Sequence, residues 1–323
     1  MLAAILATQP NNSITPVGNR FVAVSGGGEG AETAGGYSPT GSTWTAMTLP
    51  ASARWSAVAW NGTVFCAVSG SVFSGTASSI AATALDGVTW TQRTLSSSNK
   101  WSGIAWNGTV FVAVGGDGIP TVATSPDGIT WTARTISASA RWCAVAWNGT
   151  TFVAISFGTT HVATSPDGVT WTTRTNLPSS SNWNAVSWNG TVFCIVAGNP
   201  HSGSSSTAAA TSPDGVTWTA QTLPASIPWC GIAWNGTVFC ATGASGGTTA
   251  ATSPDGSTWT LRTLPSADFW GPIAYDGTRF CVVAGPGSTS NAAATSTDGI
   301  TWSAQTMPSV QPWSAICSKH SLY

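Results

Sequence analysis

The sequence predicts an all-β fold, a seven-bladed β-propeller with four antiparallel strands per blade, closed by a C-terminal strand that pairs into the N-terminal blade. Three observations predict it. The first is an internal repeat. Aligned on Asp-Gly-x-Thr-Trp and its relatives, a tryptophan recurs at Trp44, Trp90, Trp131, Trp171, Trp218, Trp259 and Trp302, a period of about 43 residues. A second follows at Trp55, Trp101, Trp142, Trp183, Trp229, Trp270 and Trp313. A third falls at Trp60, Trp106, Trp147, Trp188 and Trp234, with Tyr275 in its place once, and the three series use all 19 tryptophans of the chain. Repeats of roughly 40–50 residues build propellers or solenoids, because one copy cannot bury its own apolar face. The second observation is that each copy divides into short strand-like runs with no 3.6-residue period. The third is that the two ends are out of phase with the repeat.

The elements follow in chain order. Residues 1–15 have no place in a blade and read as an N-terminal arm; residues 16–323 read as a single propeller. The run "VGNRFVAVSG" (17–26) matches the second strand of a copy. A full copy begins with "WSAVAW" (55–60), the first strand. Asn61-Gly62 is a two-residue hairpin turn, since such turns need positive φ and Asn-Gly supplies it at low cost. "TVFCAVSG" (63–70) is the second strand, with Val64, Cys66 and Val68 on one face and Phe65 and Ala67 on the other. A variable Gly/Ser-rich loop comes next. "HVATS" (161–165) typifies the third strand, Pro166-Asp167-Gly168 a tight turn and "TWTTRT" (170–175) the fourth strand. The chain closes with "WSAICS" (313–318), a first strand with nothing after it. The first blade therefore takes three strands from the N-terminus and one from the C-terminus. That latch removes free sheet edges and leaves no remainder for a second domain.

Composition narrows the function. Charged residues are 7% of the chain, against about 25% in an average soluble protein, and the formal net charge is -1. Such a surface has no electrostatic footprint for nucleic acid or anionic lipid. No run reaches the ~18 apolar residues of a membrane helix, so no membrane insertion is expected. The start, "MLAAILATQPNNSITP", lacks the basic segment of a secretory signal. The seven cysteines show no metal spacing. Cys66, Cys194, Cys240 and Cys281 follow Phe where other copies hold Val112 and Val153, so they read as buried thiols of a chain made in a reducing cytoplasm.

"SPDGVTW" (165–171) and its copies resemble a shortened Asp-box, the Ser-x-Asp-x-Gly-x-Thr-Trp hairpin of sialidase-like propellers, with one residue missing. Its alternation with "WNGTVFVAVG"-type segments resembles the propeller repeats of bacteriophage tail and adhesin proteins. The resemblance implies a virion or extracellular location and docking to other virion proteins through the arm or one propeller face.

Catalytic groups are scarce. A sialidase-like site needs three Arg, a Tyr–Glu pair and an Asp. The chain has Tyr37, Tyr275 and Tyr323 only, and its two Glu, Glu29 and Glu32, share one loop. No catalytic residue, cofactor or metal site is expected, and the protein reads as not an enzyme; a degenerate glycosidase is the third reading. Asp86, Asp127, Asp167, Asp214, Asp255 and Asp298 each precede Gly in a turn, where the carboxylate serves local N–H groups. The binding reading rests on the loops between blades, because both hairpin turns barely vary while those loops do. On that face Arg54, Lys100 and Arg141 precede Trp55, Trp101 and Trp142 in successive copies, and His201 lies in the long loop "GNPHSGSSST" (198–207). These seven residues are the candidate ligand site for a cell-surface glycan. The expected role is a non-catalytic structural or receptor-binding part of a phage particle, with a free multivalent lectin as the alternative.

Overall fold

The computed structural model describes residues 21–26, 31–70, 77–116 and 120–319. The predicted arm, residues 1–15, lies outside the described residues. Every regular element is a strand, 28 in all among the described residues. They form seven four-stranded antiparallel blades. Blade 1 takes its inner strand, Trp313–Ser318, from the C-terminus and its other three, Phe21–Ser25, Glu32–Ser38 and Thr45–Ala53, from the N-terminus. The latch is in register from Phe21 opposite Ser318 to Val24 opposite Ala315. Blades 2 to 7 follow in order, with inner strands Trp55–Trp60, Trp101–Trp106, Trp142–Trp147, Ser181–Trp188, Trp229–Trp234 and Trp270–Tyr275. Each inner strand packs against the next, and Trp313–Ser318 packs against those of both blade 7 and blade 2, so the ring closes.

The core lies between blades. Seven apolar clusters fill the seven junctions. At the junction of blades 2 and 3, Cys66 and Val68 of one blade meet Trp101, Phe111 and Trp131 of the next. Phe65 and Ala67 turn the other way, to Val22 and Val24 of blade 1. The period of two is therefore present, but both faces are buried, because a blade has a neighbour on each side. Hydrogen bonds also cross the junctions. Ser56 Oγ donates to the carbonyl of Trp101 at 2.8 Å, Cys143 Sγ to that of Trp183 at 3.1 Å and Cys230 Sγ to that of Trp270 at 3.4 Å. Ser314 Oγ makes the same bond to Trp55 and so ties the latch strand to blade 2.

Both hairpins differ in detail from the sequence reading. The first to second strand connection turns on Gly62 and Thr63 rather than on Asn61 and Gly62, with Asn61 N–H donating to the Val64 carbonyl at 3.2 Å. Trp60 pairs with Phe65, and residues 61–64 form the connection. Asn61 Oδ1 accepts the N–H groups of Thr63 and Val64 at 2.9 and 2.7 Å, and Gly62 sits at φ +94°. The side chain does the work assigned to backbone geometry. In the second hairpin Trp171 lies outside the outer strand, which is Thr172–Arg174. Ser165 Oγ accepts Gly168 N–H at 2.8 Å, and Asp167 Oδ1 accepts Val169 and Thr170 N–H at 2.8 Å each. The indole of Trp171 donates to the Gly168 carbonyl at 2.9 Å. Gly168 is required twice: its φ is +77°, and an added Cβ would come within 2.5 Å of Val112 in the preceding blade.

All seven thiols are free, and Cys66, Cys194, Cys240 and Cys281 are fully buried. Burial pushes each of these four far above the ordinary thiol range. Half-buried Cys230 is pushed up to about 12 by burial. We expect an aromatic disulfide reagent to titrate no more than a small fraction of the thiols in the native protein and all seven after denaturation. Fast native reaction of most of them would contradict the packing described here.

Candidate binding sites at the two channel mouths

Each inner strand runs along the central axis, so the residues flanking it mark two opposite mouths. At the loop mouth the residue before the first tryptophan of the inner strand is Arg54, Lys100 and Arg141 in blades 2 to 4, then Asn182, Pro228, Phe269 and Pro312 round the rest of the ring. Their backbone is held by the end of the second strand: Gly70 N–H donates to the Arg54 carbonyl at 2.8 Å and Gly116 N–H to that of Lys100 at 3.1 Å. Gly115 must be Gly, since a Cβ there would lie 2.3 Å from the Lys100 carbonyl oxygen. The three cations thus stand on rigid backbone, in an arc over three successive blades.

His201 joins this mouth from blade 5. Asn199 Oδ1 accepts the N–H groups of His201 and Ser202 at 3.0 and 3.2 Å and shapes the loop. The His201 pKa is lowered, first by crowding from surrounding protein atoms and second by the Arg54 charge. His201 as a residue is exposed and lies outside the core. The structure therefore brings His201 within electrostatic reach of Arg54, which sequence separation gave no reason to expect. Arg141 stands over the Phe157 ring at 5.9 Å, not over a tryptophan. Asp268 is committed elsewhere on this mouth, accepting Ser288 Oγ at 2.6 Å and also Ser290 Oγ.

The pairing of cation with tryptophan is corrected. Trp55, Trp101 and Trp142 are 0% exposed. Their indole N–H groups donate to the carbonyls of Ala51, Ser97 and Ala138. The register shifts just after each of them, as between Trp55 and Ala57. Such a bulge re-aims a side chain, here into the layer between blades. These rings are mortar, and no ligand stacks on them.

At the hairpin mouth lies a feature the sequence reading missed. Trp60, Trp106, Trp147, Trp188, Trp234 and Tyr275 ring an axial cavity of about 830 Å³, floored by Val and Ile side chains such as Ile104 and Ile232. Blade 1 supplies Ser318 at the equivalent place, and Lys319 lies over the Trp60 ring at 5.1 Å. A signal was available. Each of these tryptophans directly precedes a solvent-facing turn at the axial end of its blade, two residues after a β-branched residue or alanine-flanked aliphatic on the same side. The repetition of those turns constrains their backbone and leaves the rings beside them free to line the mouth.

Among the described residues no group of three or more His, Cys, Asp or Glu is placed to hold a metal ion, and no helix is long and apolar enough to cross a membrane.

No protein-family model and no curated protein matches the chain. Solved structures do. Virginiamycin B lyase from Staphylococcus aureus superposes with a TM-score of 0.64 at 9% identity, over 79% of this chain and 85% of that one. YCF48 from Cyanidioschyzon merolae gives 0.58 at 15% identity over 83% and 89%. The WD40 β-propeller domain of Doa1 gives 0.57 at 10% identity over 79% and 83%. The first of these corrects the expectation that the chain is not an enzyme. A propeller of similar architecture is a lyase, so the fold does not exclude catalysis. At these identities the likeness is one of fold alone: this chain is an all-β propeller, similar in architecture to a lyase, to YCF48 and to a WD40 domain.

Proposed function

We propose that this propeller is a structural or receptor-binding component of a phage particle and that its loop mouth recognises a polar or acidic glycan on the host surface. The observation that supports this reading is the arc of Arg54, Lys100 and Arg141, with His201 within electrostatic reach of Arg54. It is the part of a near-repetitive ring in which three successive blades share a positive charge where the other four carry a neutral residue. Guanidinium and ammonium groups donate to carboxylate or hydroxyl oxygens, and such charge-assisted bonds are the stronger kind. With Trp55, Trp101 and Trp142 buried, affinity comes from the cations and loop polar groups. The resemblance of the repeats to phage tail and adhesin propellers supplies the particle context, and the arm at residues 1–15 or one propeller face supplies the contact with other virion proteins.

The test is the triple substitution Arg54→Ser, Lys100→Ser, Arg141→Ser, with host adsorption or binding to an acidic glycan array measured beside a melting curve. We expect binding to weaken by about 1–3 kcal/mol for each charged hydrogen bond lost, with melting nearly unchanged because rim substitutions rarely shift stability by more than about 0.5 kcal/mol. Unchanged binding sinks the loop-mouth assignment. Absence of the chain from purified particles, read by mass spectrometry, sinks the virion role separately.

A further inference from the structure

The hairpin mouth is built differently from the loop mouth and carries its own inference. The six aromatic rings there are fixed in place. Each packs on the Phe that pairs with it across its own blade, from 4.5 Å between centroids for Trp60 and Phe65 to 5.2 Å for Tyr275 and Phe280. The rings are held before any ligand arrives, which lowers the ordering cost of binding. The cavity they enclose, about 830 Å³, falls in the range of about 300–1,000 Å³ usual for small-molecule sites.

Among the described residues their indole N–H groups are uncommitted. The indoles at the blade junctions donate to carbonyls, as Trp131 does to Gly128 at 3.1 Å and Trp270 to Ser266 at 2.9 Å. Among the described residues no acceptor takes the Nε1 hydrogen of Trp60, Trp106, Trp147, Trp188 or Trp234, and none of these nitrogens is sealed from solvent as Trp313 Nε1 is. Among the described residues the lining holds no Asp, Glu, Lys or Arg, and the Lys319 ammonium beside it is engaged with the Trp60 and Phe65 rings.

Ligand chemistry follows from that set. An anion or cation would lose hydration without a countercharge in the lining. A purely apolar ligand would fill the mouth but leave the indole N–H groups unmet. What satisfies both is an uncharged molecule with apolar C–H faces and acceptor oxygens round its edge. We propose that the hairpin mouth binds a neutral saccharide, a pyranose face stacking on Trp106 or Trp234 and its oxygens accepting from the free indole N–H groups. The site lies at the opposite end of the inner strands from Arg54, Lys100 and Arg141, so it does not rest on the reading of the loop mouth.

The test uses the full chain and a panel of neutral gluco-, galacto- and manno-oligosaccharides, followed by tryptophan emission and by calorimetry. We expect saturable binding by at least one of them. The double variant Trp106→Phe, Trp234→Phe keeps both apolar faces and removes two donors; it should bind about tenfold more weakly at an unchanged melting temperature. Trp106→Ala, Trp234→Ala should abolish binding, and the Phe variant decides the matter if the Ala variant does not fold. The triple Ser variant of the loop mouth should bind the neutral saccharide like the parent chain. No saturable signal with any member of the panel at millimolar concentration overturns the proposal. So does binding that survives in the folded Ala variant, or that disappears in the triple Ser variant, which would move the sugar to the other mouth.

Discussion

Deleting residues 312–323 is expected to yield insoluble protein, or a soluble form without cooperative melting. The deletion removes the inner strand of blade 1, Trp313–Ser318, and with it the pairing to Phe21–Val24. It also strips Trp313 and Ile316 from the layer between blades 7 and 1 and breaks the Ser314 bond to Trp55. Loss of a buried Trp alone costs about 3–5 kcal/mol, against a total stability of about 5–15 kcal/mol for a typical domain. The exposed edge would be Phe21–Ser25, Phe-Val-Ala-Val-Ser, every residue of which is now buried. An unpaired apolar strand of that kind templates aggregation. Solubility, size-exclusion elution and a melt by far-ultraviolet circular dichroism read the outcome. A peptide spanning residues 311–319, supplied during refolding, should restore part of the soluble yield. A monomeric deletion variant that melts like the full chain would contradict the closed ring.

Much of the fold was readable in the sequence because a repeat is its own alignment. Blade number came from the Trp spacing, and the latch came from the phase mismatch between "VGNRFVAVSG" and "WSAICS", both independent of any side-chain contact. Turn mechanics were readable only in part. Asn61 and Gly62 mark a turn whichever residues close it, and only coordinates show the Asn side chain replacing the expected backbone geometry. The site was less readable. Trp55 and Trp60 stand at opposite ends of one six-residue strand, and composition cannot say which ring meets solvent. A bulge decides it by turning Trp55 into the junction, and no residue type announces that bulge: the shifted positions hold Ala57, Gly103, Ala144 and Ala185 in successive blades. The approach of His201 to Arg54 is likewise a product of ring closure, which brings blades far apart in sequence to face each other across one axis.

Trp142→Ala is expected to lower stability by about 3–5 kcal/mol, which for a chain of this length is roughly 5–8 °C in melting temperature. The ring is fully buried between blades 3 and 4, among Val114, Ile136, Val145 and Phe152. Its N–H donates to the Ala138 carbonyl at 3.2 Å, so truncation leaves both a cavity and an orphaned acceptor. The layer has little room to collapse, because each neighbouring strand is fixed by pairing on both sides. Arg141→Ser, one residue earlier, removes a side chain from the rim and should leave melting nearly unchanged while weakening glycan binding. The two neighbours thus separate the roles that their adjacency in sequence blurred. Melting curves and glycan binding measured on both variants make the comparison. Binding by Trp142→Ala, assayed well below its melting temperature, should match the parent chain. If Trp142→Ala melts normally and loses binding, the ring belongs to the ligand site after all and its burial does not describe the protein in solution.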